Sequence, residues 1–153
     1  MNARKDKNME PSLSFYITAL QKNFTCYATH KLKEAGLNFG QLPFVLYVGK
    51  HPGCTPSEVT REIHMDWGHT QRSLERLTED GFIKKERKHP NSRICDLFLT
   101  EKGEEAFKAA HDVFYSWDSE NLSFLPEDEV KKVTAILERV LEETRKKITD
   151  DLI

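Results

Sequence analysis

The segment Asp66–Ile83, with the sequence DWGHTQRSLERLTEDGFI, predicts one short helix with a defined start and stop. Asp66 is a favourable N-cap, because its carboxylate can accept hydrogen bonds from the free N–H groups of the first turn. Gly81 supplies the left-handed residue that commonly ends a helix. The predicted helix therefore covers about residues 66–80.

Only a narrow face of this helix is apolar. Leu74 and Leu77 share one side with Thr70, a turn earlier, and we expect this stripe to pack against the preceding helix. The other side is predicted to be exposed, and it carries His69, Gln71, Arg72, Glu75 and Arg76. Gln and Arg side chains offer the paired hydrogen bonds that base edges and phosphates accept, so this face is a candidate for nucleic-acid contact.

Two short helices are predicted before this segment. Residues 40–50 are largely apolar, and a break at His51–Gly53 separates them from a second helix over Pro56–Ile63. Thr55 can cap this second helix, and Glu58 follows three residues later in the capping-box position.

A β-hairpin is predicted over about residues 82–99, with the basic and turn-rich segment Lys88–Arg93 between its strands. A short helix, a tight connection at His64–Met65, a helix with an open polar face and a basic hairpin together predict a winged helix-turn-helix core over residues 38–100. We expect His64 to have a structural role in the connection. The helix would enter the major groove, with the hairpin over the backbone or the minor groove.

Long amphipathic segments lie at both ends of the chain. Residues 11–35 and 126–151 repeat apolar residues at three-and-four spacing, each predicting a long helix, and Thr100 caps a further helix that runs toward Trp117. Both terminal helices have wider apolar faces than one small domain needs, so we assign them to dimerisation. The predicted fold class is mainly α with a small β-hairpin wing, in a single domain over residues 1–153.

Charge is unevenly distributed along the chain. The formal net charge is −2, but residues 82–93 carry five bases and one acid, whereas residues 104–153 carry thirteen acids and seven bases. A basic patch in the middle of the chain indicates a directional polyanion-binding face. The residues that we expect to contact DNA are Thr55, Ser57, His69, Gln71, Arg72, Arg76, Lys88 and Arg93.

Several short motifs occur in a characteristic order: Gly36-Leu37 followed by Gln41, Pro52–Thr55, Gly81–Ile83, Arg93, and Leu99–Gly103. Together they resemble the MarR (multiple antibiotic resistance regulator) family of winged helix-turn-helix transcription factors, and the resemblance covers nearly the whole chain. It implies a transcriptional repressor that binds duplex DNA as a homodimer, with the first and last helices of two chains interlocked. Two recognition helices about 34 Å apart would then read a pseudo-palindromic operator.

The chain departs from the family's pattern at two places. Asn91 stands where the family has an acidic residue two places before Arg93, which weakens the ion pair expected to steady the wing tip. Trp67–His69 replaces the small hydroxyl residues common at the start of the recognition helix, so we expect an unusual base preference. Trp67 could stack on the sugar-phosphate edge or pack over the short helix, and we favour packing.

Aromatic residues are frequent in the first third of the chain, and we expect them mainly in the core: Phe15, Tyr16, Phe24, Tyr27, Phe39, Phe44 and Tyr47. The resemblance also implies a cleft for a small aromatic effector between the dimerisation helices and the winged motif. The candidate ligand-binding residues are Phe15, Tyr27, Phe44 and Tyr47. A ligand there would shift the spacing of the two recognition helices.

Other functions are less consistent with the sequence. The three cysteines form no CxxC pair, so neither a disulfide framework nor a metal site is expected; Cys26 is expected to be a buried, inert thiol. A thiol-based redox-sensing regulator that uses Cys26 is one alternative, and a winged-helix module for protein contact is another. Since no Gly-rich phosphate loop, nucleophile elbow or HExxH occurs, we expect no enzyme and no cofactor.

The sequence also bears on location. It contains no run approaching the roughly 18 to 20 apolar residues that a membrane span needs, and its first residues lack the apolar core of a secretory signal. We therefore expect a cytoplasmic protein.

Overall fold

The computed structural model describes residues 11–151, with side chains as far as residue 148. Its elements in chain order are α1 (Leu13–Leu32), a 3-10 turn (Phe39–Gln41), α2 (Leu42–Lys50), α3 (Pro56–Glu62), α4 (Trp67–Glu79), β1 (Ile83–Arg87), β2 (Cys95–Leu99), α5 (Glu101–Asn121) and α6 (Glu127–Asp151). The two strands pair antiparallel. The predicted winged helix-turn-helix is therefore confirmed. The first ten and last two residues of the chain, including the N-terminal segment used to argue against a secretory signal, lie outside the described residues.

The chain divides into two compact units, one ending at Phe114 and the other beginning at Tyr115. The first contains α1, the winged motif and most of α5, and the second contains the last residues of α5 and all of α6. The single domain over residues 1–153 stays a prediction. No helix in the described part of the chain is long and apolar enough to cross a membrane.

The core of the first unit surrounds the inner face of α4. Leu74, Leu77 and Thr70 are completely buried, which confirms the narrow stripe predicted from the sequence. The same cluster takes in buried residues from α1, α2, α3, the wing and α5: Ala28, Leu32, Phe44, Val45, Val48, Val59, Phe82, Ile83, Leu97, Ala106 and Ala110. Burial of one large aliphatic side chain contributes about 1.5–3 kcal/mol, so this cluster is the main support of α4.

Only the C-terminal part of α1 packs onto this core. Ala28 and Leu32 are buried, whereas Leu20 is 51% exposed. Phe15 and Tyr16, which we expected in the core, are also exposed, at 58% and 51%. The expectation of a buried face along the whole helix is therefore wrong for the single chain. The reason is the length of α1, because residues 13–23 extend the helix by about 16 Å beyond the turns that pack on the core.

A 3-10 turn precedes α2, where the sequence predicted one helix from residue 40. Asn38 Oδ1 accepts a hydrogen bond from the N–H of Gln41 at 3.0 Å, and Gln41 Oε1 accepts one from the N–H of Asn38 at 3.0 Å. This reciprocal capping box fixes residues 39–41 as a separate tight turn, and α2 begins at Leu42.

The connection between α3 and α4 depends on His64, whose backbone is left-handed with φ of 54°. The N–H of Met65 donates to the carbonyl of Thr60 at 3.3 Å, the closure that typically ends a helix at a left-handed residue. His64 therefore has the structural role expected of it. It turns the chain directly from α3 into Asp66, which caps α4.

The wing is tied to the start of α3 by a third, short stretch of backbone. β1 and β2 pair from Ile83 opposite Leu99 to Arg87 opposite Cys95. On the other side of β2, Leu97 accepts from the N–H of Gly53 at 2.8 Å and donates to the carbonyl of Cys54 at 2.8 Å. The N-terminus of α3 is thereby held beside the wing. Burial raises the pKa of the Cys54 thiol to about 11, so the thiol stays protonated there.

Thr100 joins the end of α4 to the start of α5. Its Oγ1 accepts from the N–H of Gly103 at 3.0 Å, which confirms the predicted cap of α5. The same hydroxyl donates to the carbonyl of Gly81 at 2.5 Å, and the N–H of Thr100 donates to the carbonyl of Phe82 at 3.0 Å. One residue therefore satisfies two of the carbonyls that follow the recognition helix.

Lys102 and Gly103 complete this junction. Lys102 Nζ donates to the carbonyl of Asp80 at 2.7 Å and lies over the ring of Phe82, 4.3 Å from its centroid. Gly103 is buried, and its Cα approaches the backbone of Phe82 so closely that no side chain fits between them. The motif Leu99–Gly103 is thus the attachment point of α4.

We expect Gly103→Ala to destabilise the protein by about 1–3 kcal/mol, because the new methyl group overlaps the Phe82 carbonyl oxygen and backbone must move. The free energy of unfolding can be measured by urea denaturation. Gly68→Ala is the matched control, because its methyl group meets only the side-chain atoms Arg72 Nη1 at 3.2 Å and Asp66 Oδ1 at 3.3 Å. Its effect should stay below about 1 kcal/mol. Equal losses in both variants would contradict the close approach at Gly103.

Candidate nucleic-acid interface

A groove of about 580 Å³ opens between the start of α3, the start of α4 and the wing. It is lined by Thr55, Pro56, Ser57, Trp67, Gln71, Lys85, Arg93, Ile94 and Cys95. Four of the residues predicted to contact DNA, Thr55, Ser57, Gln71 and Arg93, therefore come together although they are separated by up to 38 positions in sequence. The groove carries two cationic side chains and no acidic one along its lining.

The start of α3 is fixed by the predicted capping box. Thr55 Oγ1 accepts from the N–H of Glu58 at 3.3 Å, and Glu58 Oε2 accepts from the N–H of Thr55 at 2.7 Å. These bonds engage the Thr55 hydroxyl, which also lies 3.3 Å from Glu58 Oε2. Ser57 is exposed and makes no hydrogen bond through its hydroxyl to any described residue, so it is the freer of the two for a phosphate oxygen.

The start of α4 is fixed by Asp66, whose Oδ1 accepts from the N–H of His69 at 2.9 Å. This confirms the predicted N-cap and leaves the first turn of α4 open on its outer side. Gln71 is half-buried at the floor of the groove, and Trp67 stands at its edge with 54% of its surface exposed. About half of the Trp67 surface is therefore covered, and the side chain lines the groove beside Pro56 and Ser57 of the short helix. Its packing over that helix stays a prediction.

The other predicted residues of α4 lie on its opposite flank. His69, Arg72 and Arg76 line a second cleft of about 350 Å³ together with Asn38, Gly40, Gln41 and Ser73. Arg76 Nε also donates to Asp80 Oδ2 at 3.3 Å, in an exposed pair that solvent weakens. The structure thus separates the predicted DNA contacts into two groups, one on each side of the recognition helix.

The wing is braced where its strands enter the tip loop by Lys88 and Asp96, with Nζ and Oδ2 3.8 Å apart. Asp96 is 8% exposed, so its carboxylate is the most buried acid of the wing. At the tip, Ser92 Oγ contacts both the N–H and the carbonyl of Ile94 at 3.2 Å. These contacts steady the wing although Asn91 cannot provide the ion pair of the family pattern. Lys88, a predicted DNA contact, is consequently shared with Asp96.

Arg93 is exposed and forms no ion pair with any described residue. It lies on the wing side of the groove, which Ser57 lines from α3. Lys85 joins it there, whereas the neighbouring Lys84 pairs with Glu86 at 3.3 Å. A phosphate group could therefore meet Arg93 without displacing an internal partner.

Sequence reasoning missed the contributions of Ile94, Cys95 and Pro56 to the groove. Ile94 is 61% exposed, although apolar residues of a hairpin usually alternate inward and outward. Its exposure follows from its position just before β2, where pairing with β1 has not begun. Spacing alone gives no signal for this, because the loop that carries Ile94 has no regular period.

The four candidate ligand-binding residues are not equivalent. Phe44 is completely buried in the core, Tyr27 and Tyr47 are half-buried against it, and Phe15 is exposed on the first turn of α1. None of the four lines either of the two clefts beside α4. Phe44 could reach a ligand only if the core opened.

Cys26 is exposed, so the expectation of a buried thiol is wrong for the single chain. It lies on α1, where the core covers only the residues next to Ala28 and Leu32. In the part of the chain that the structure describes, no three His, Cys, Asp or Glu side chains come together as a metal site.

The two short helices, the open face of α4 and the braced wing define a winged helix-turn-helix protein of the regulator type. The chain belongs to the MarR family. Residues 35–93 match the model of that family. The HTH-type transcriptional regulator BilQ of Clostridium symbiosum (strain WAL-14163) is 38% identical over 132 residues, which cover 86% of this chain and 92% of that protein.

Solved structures agree with this assignment. The crystal structure of MarR superimposes with a TM-score of 0.77 at 25% identity, over 97% of this chain and 99% of that one. Streptococcus pneumoniae FabT, crystallised in complex with DNA, has a TM-score of 0.77 at 20% identity, over 88% of this chain and 96% of that one. The family predicted from the sequence motifs is therefore confirmed, as is its role in transcriptional regulation.

The capping box of α3 should make stability depend on pH. The N–H of Thr55 lowers the pKa of Glu58, with smaller contributions from its hydroxyl, Arg61 and Lys88. Because the folded pKa lies below the unfolded one, the stabilisation is present above the ordinary Glu range and is lost as pH falls through that range and then through the lowered pKa. The melting-temperature difference between the parent protein and Glu58→Gln should shrink over that interval.

Glu62→Gln serves as the control, since in the described part of the chain the Glu62 carboxylate forms a surface ion pair with Arg61, at 2.9 Å, and takes no part in the cap. It removes a carboxylate from the same helix but leaves the capping box intact. A melting-temperature difference for Glu58→Gln that stays constant from pH 6 to pH 3 would show that the ionised carboxylate does not stabilise the cap.

Proposed function

We propose that the protein is a repressor that binds a pseudo-palindromic DNA operator sequence-specifically as a homodimer. The observation that carries the proposal is the convergence of Ser57, Gln71 and Arg93 on one groove that has cationic and no acidic lining. The complex of Streptococcus pneumoniae FabT with DNA supports it, because the two chains share the fold. The proposed activity is binding, and it requires no catalytic group or cofactor.

In the proposed complex, α4 enters the major groove with its first two turns. Gln71 is placed to read base edges, because a Gln amide can donate to and accept from adenine at the same time. His69 and Arg72 contact the opposite flank of the groove. Ser57 and the N–H groups at the start of α3 meet a phosphate, with Thr55 contributing through the cap.

The wing would follow the backbone next to the recognition helix. Among the described residues Arg93 has no competing partner, so it can bind a phosphate or enter the minor groove, where a narrow groove concentrates negative potential. Lys85 and Lys88 would act as steering charges, and Lys88 would also keep its contact with Asp96.

The two clefts beside α4 suggest that it contacts both strands that border the major groove. Thr55, Ser57 and Arg93 lie on one flank, whereas Arg72 and Arg76 lie on the other. Arg76 would exchange its exposed pair with Asp80 for a phosphate, an exchange of similar surface interactions.

Homodimerisation is proposed from the exposed apolar residues of the long helices. α1 exposes Leu13, Phe15, Tyr16, Ile17 and Leu20, and α6 exposes Val133, Ile136, Leu137, Val140, Leu141 and Ile148. Both sets recur at helical spacing and therefore form stripes. Stripes of this size are characteristic of surfaces that are covered in an assembly.

A small aromatic effector remains part of the proposal. Tyr27 and Tyr47 are half-buried and offer ring surface together with a hydroxyl, so they are the more accessible of the four candidates. A ligand that binds one dimer geometry more tightly than another would shift the population toward that geometry and so change DNA affinity.

We expect Arg93→Ala to weaken binding to every duplex and to reduce the slope of log affinity against log salt by about 1, because one phosphate contact is lost. Gln71→Ala should instead reduce the preference for the operator over a scrambled duplex by about 5- to 150-fold. Both can be measured by fluorescence anisotropy, with duplexes selected from fragments of the source genome. Lys108→Ala, at an exposed position of α5, is the charge control.

The same measurement distinguishes the rival function. A winged-helix module used only for protein contact would bind operator and scrambled duplexes equally and weakly. Equal binding by the parent protein would therefore contradict the proposal, as would a parent-like affinity and preference in both variants.

We expect Leu137→Glu to convert the dimer to monomers and to lower operator affinity at least tenfold, because a charge would be buried in the proposed interface. Leu137 is 41% exposed in the single chain, so the substitution should leave the protomer folded. Ala135→Glu adds the same charge on the opposite side of α6 and should keep the parent mass in light scattering. An unchanged mass for Leu137→Glu would contradict the assignment of this stripe.

A further inference from the structure

Two large apolar side chains are exposed in the groove beside the recognition helix. Trp67 begins α4 and is 54% exposed, and Ile94 lies just before β2 and is 61% exposed. Both line the same groove, together with Lys85 and Arg93. The Trp67 ring makes no ring contact or hydrogen bond with any described residue. Exposed apolar residues that share one site usually mark a binding surface.

Gln71 lies on the floor of the groove, one helical turn after Trp67 and on the same side of α4. Its amide nitrogen Nε2 is buried and finds no acceptor among the described protein groups. Buried amide nitrogens are nearly always paired, so rotation of the half-buried Gln71 side chain into the groove, where a ligand acceptor can meet the amide, would remove an unfavourable arrangement. The groove therefore combines an unpaired donor with two apolar walls and a cationic rim.

The chemistry of the groove selects its occupant. The cationic rim without acids favours a polyanion, and the apolar walls favour a methyl group within it. In the major groove of duplex DNA, thymine presents a C5 methyl group, and its partner adenine presents N7 as an acceptor beside an amino donor. A guanine–cytosine pair offers no methyl group. An adenine–thymine pair therefore matches all three features.

We propose that Trp67, Gln71 and Ile94 form the specificity-determining site for one adenine–thymine pair in each half of the operator. Trp67 and Ile94 enclose the thymine methyl group in the major groove, and Arg93 binds the adjoining phosphate. Gln71, turned into the groove, donates from Nε2 to adenine N7 and accepts at Oε1 from the adenine amino group. This inference rests on the proposed function, because it assumes that α4 enters the major groove. It adds which base pair the groove recognises and which side chains distinguish it.

The test uses DNA in which one recognised group at a time is removed from a base. The probe is the duplex enriched by the parent protein from fragments of the source genome, synthesised with deoxyuridine in place of one thymidine at a time. Deoxyuridine lacks only the C5 methyl group. At one thymine in each half-site we expect affinity to fall about fourfold, the effect of one buried methyl group, and we expect no fall at that position for Trp67→Ala.

Two variants of Ile94 and one modified adenine test the remaining contacts of the proposed site. Ile94→Leu keeps an apolar wall and should retain the sensitivity to deoxyuridine, whereas Ile94→Ala should lose most of it. At the paired adenine, 7-deazaadenine removes the N7 acceptor and should weaken binding by the parent protein but not by Gln71→Ala. Because Trp67 and Ile94 are exposed and Gln71 is only half-buried, circular dichroism should show parent-like folding in all of these variants.

The outcomes distinguish this inference from the proposed function. An enriched duplex whose binding is insensitive to every deoxyuridine substitution would overturn the inference alone. So would a Trp67→Ala variant that keeps the full sensitivity, or one that weakens all duplexes equally, since Trp67 would then contact the backbone. If selection enriches no sequence, the proposed function fails and this inference fails with it.

Discussion

The position of the recognition helix depends on one junction, in which Thr100 binds the carbonyls that follow α4 while it caps α5. Its hydroxyl donates to Gly81 at 2.5 Å and accepts from Gly103 at 3.0 Å. Hydrogen bonds of this kind each add only about 0.5–1.5 kcal/mol, but they act on backbone groups at a helix end, so they fix its direction as well as its stability. The absence of a side chain at Gly103 then allows α5 to touch Phe82 directly. With its end held and Leu74 and Leu77 buried, α4 can leave its first turns open without losing its place.

Features that depend on neighbours in sequence could be predicted, because the partners are a few residues apart. Asp66 and Thr55 cap helices through N–H groups three positions later, and the hairpin is predicted from two short segments on either side of a basic, turn-rich stretch. The cap by Thr100 was predicted for the same reason. The hydrogen bond from Thr100 to Gly81 spans 19 positions and could not be predicted, since nothing in the local sequence indicates which carbonyl will lie beside the hydroxyl.

The environment of side chains was harder to predict than their secondary structure. The helical period places Trp67 and Gln71 on one side of α4, but only the position of the wing decides that this side is a groove and not a packed interface. Phe15 and Cys26 illustrate the same limit on α1, where the stripe gives the apolar face but not the length that the core covers. Whether a side chain is buried depends on the neighbouring elements that pack against it, and the sequence of a single helix does not identify those elements.

The distribution of exposed apolar side chains distinguishes the proposed dimer surface from the proposed DNA-binding surface. Among the described residues, most large exposed apolar side chains belong to the first turns of α1 or to the segment from Phe114 through α6. Trp67 and Ile94 are instead in the winged motif. The stripes on the long helices repeat every three or four residues, as surfaces that pair with another helix do. Trp67 and Ile94 come from a helix start and a loop, have no common period, and are bordered by Lys85 and Arg93. A partner helix cannot match that arrangement, but a groove of a nucleic acid can, because it presents isolated methyl groups between phosphates.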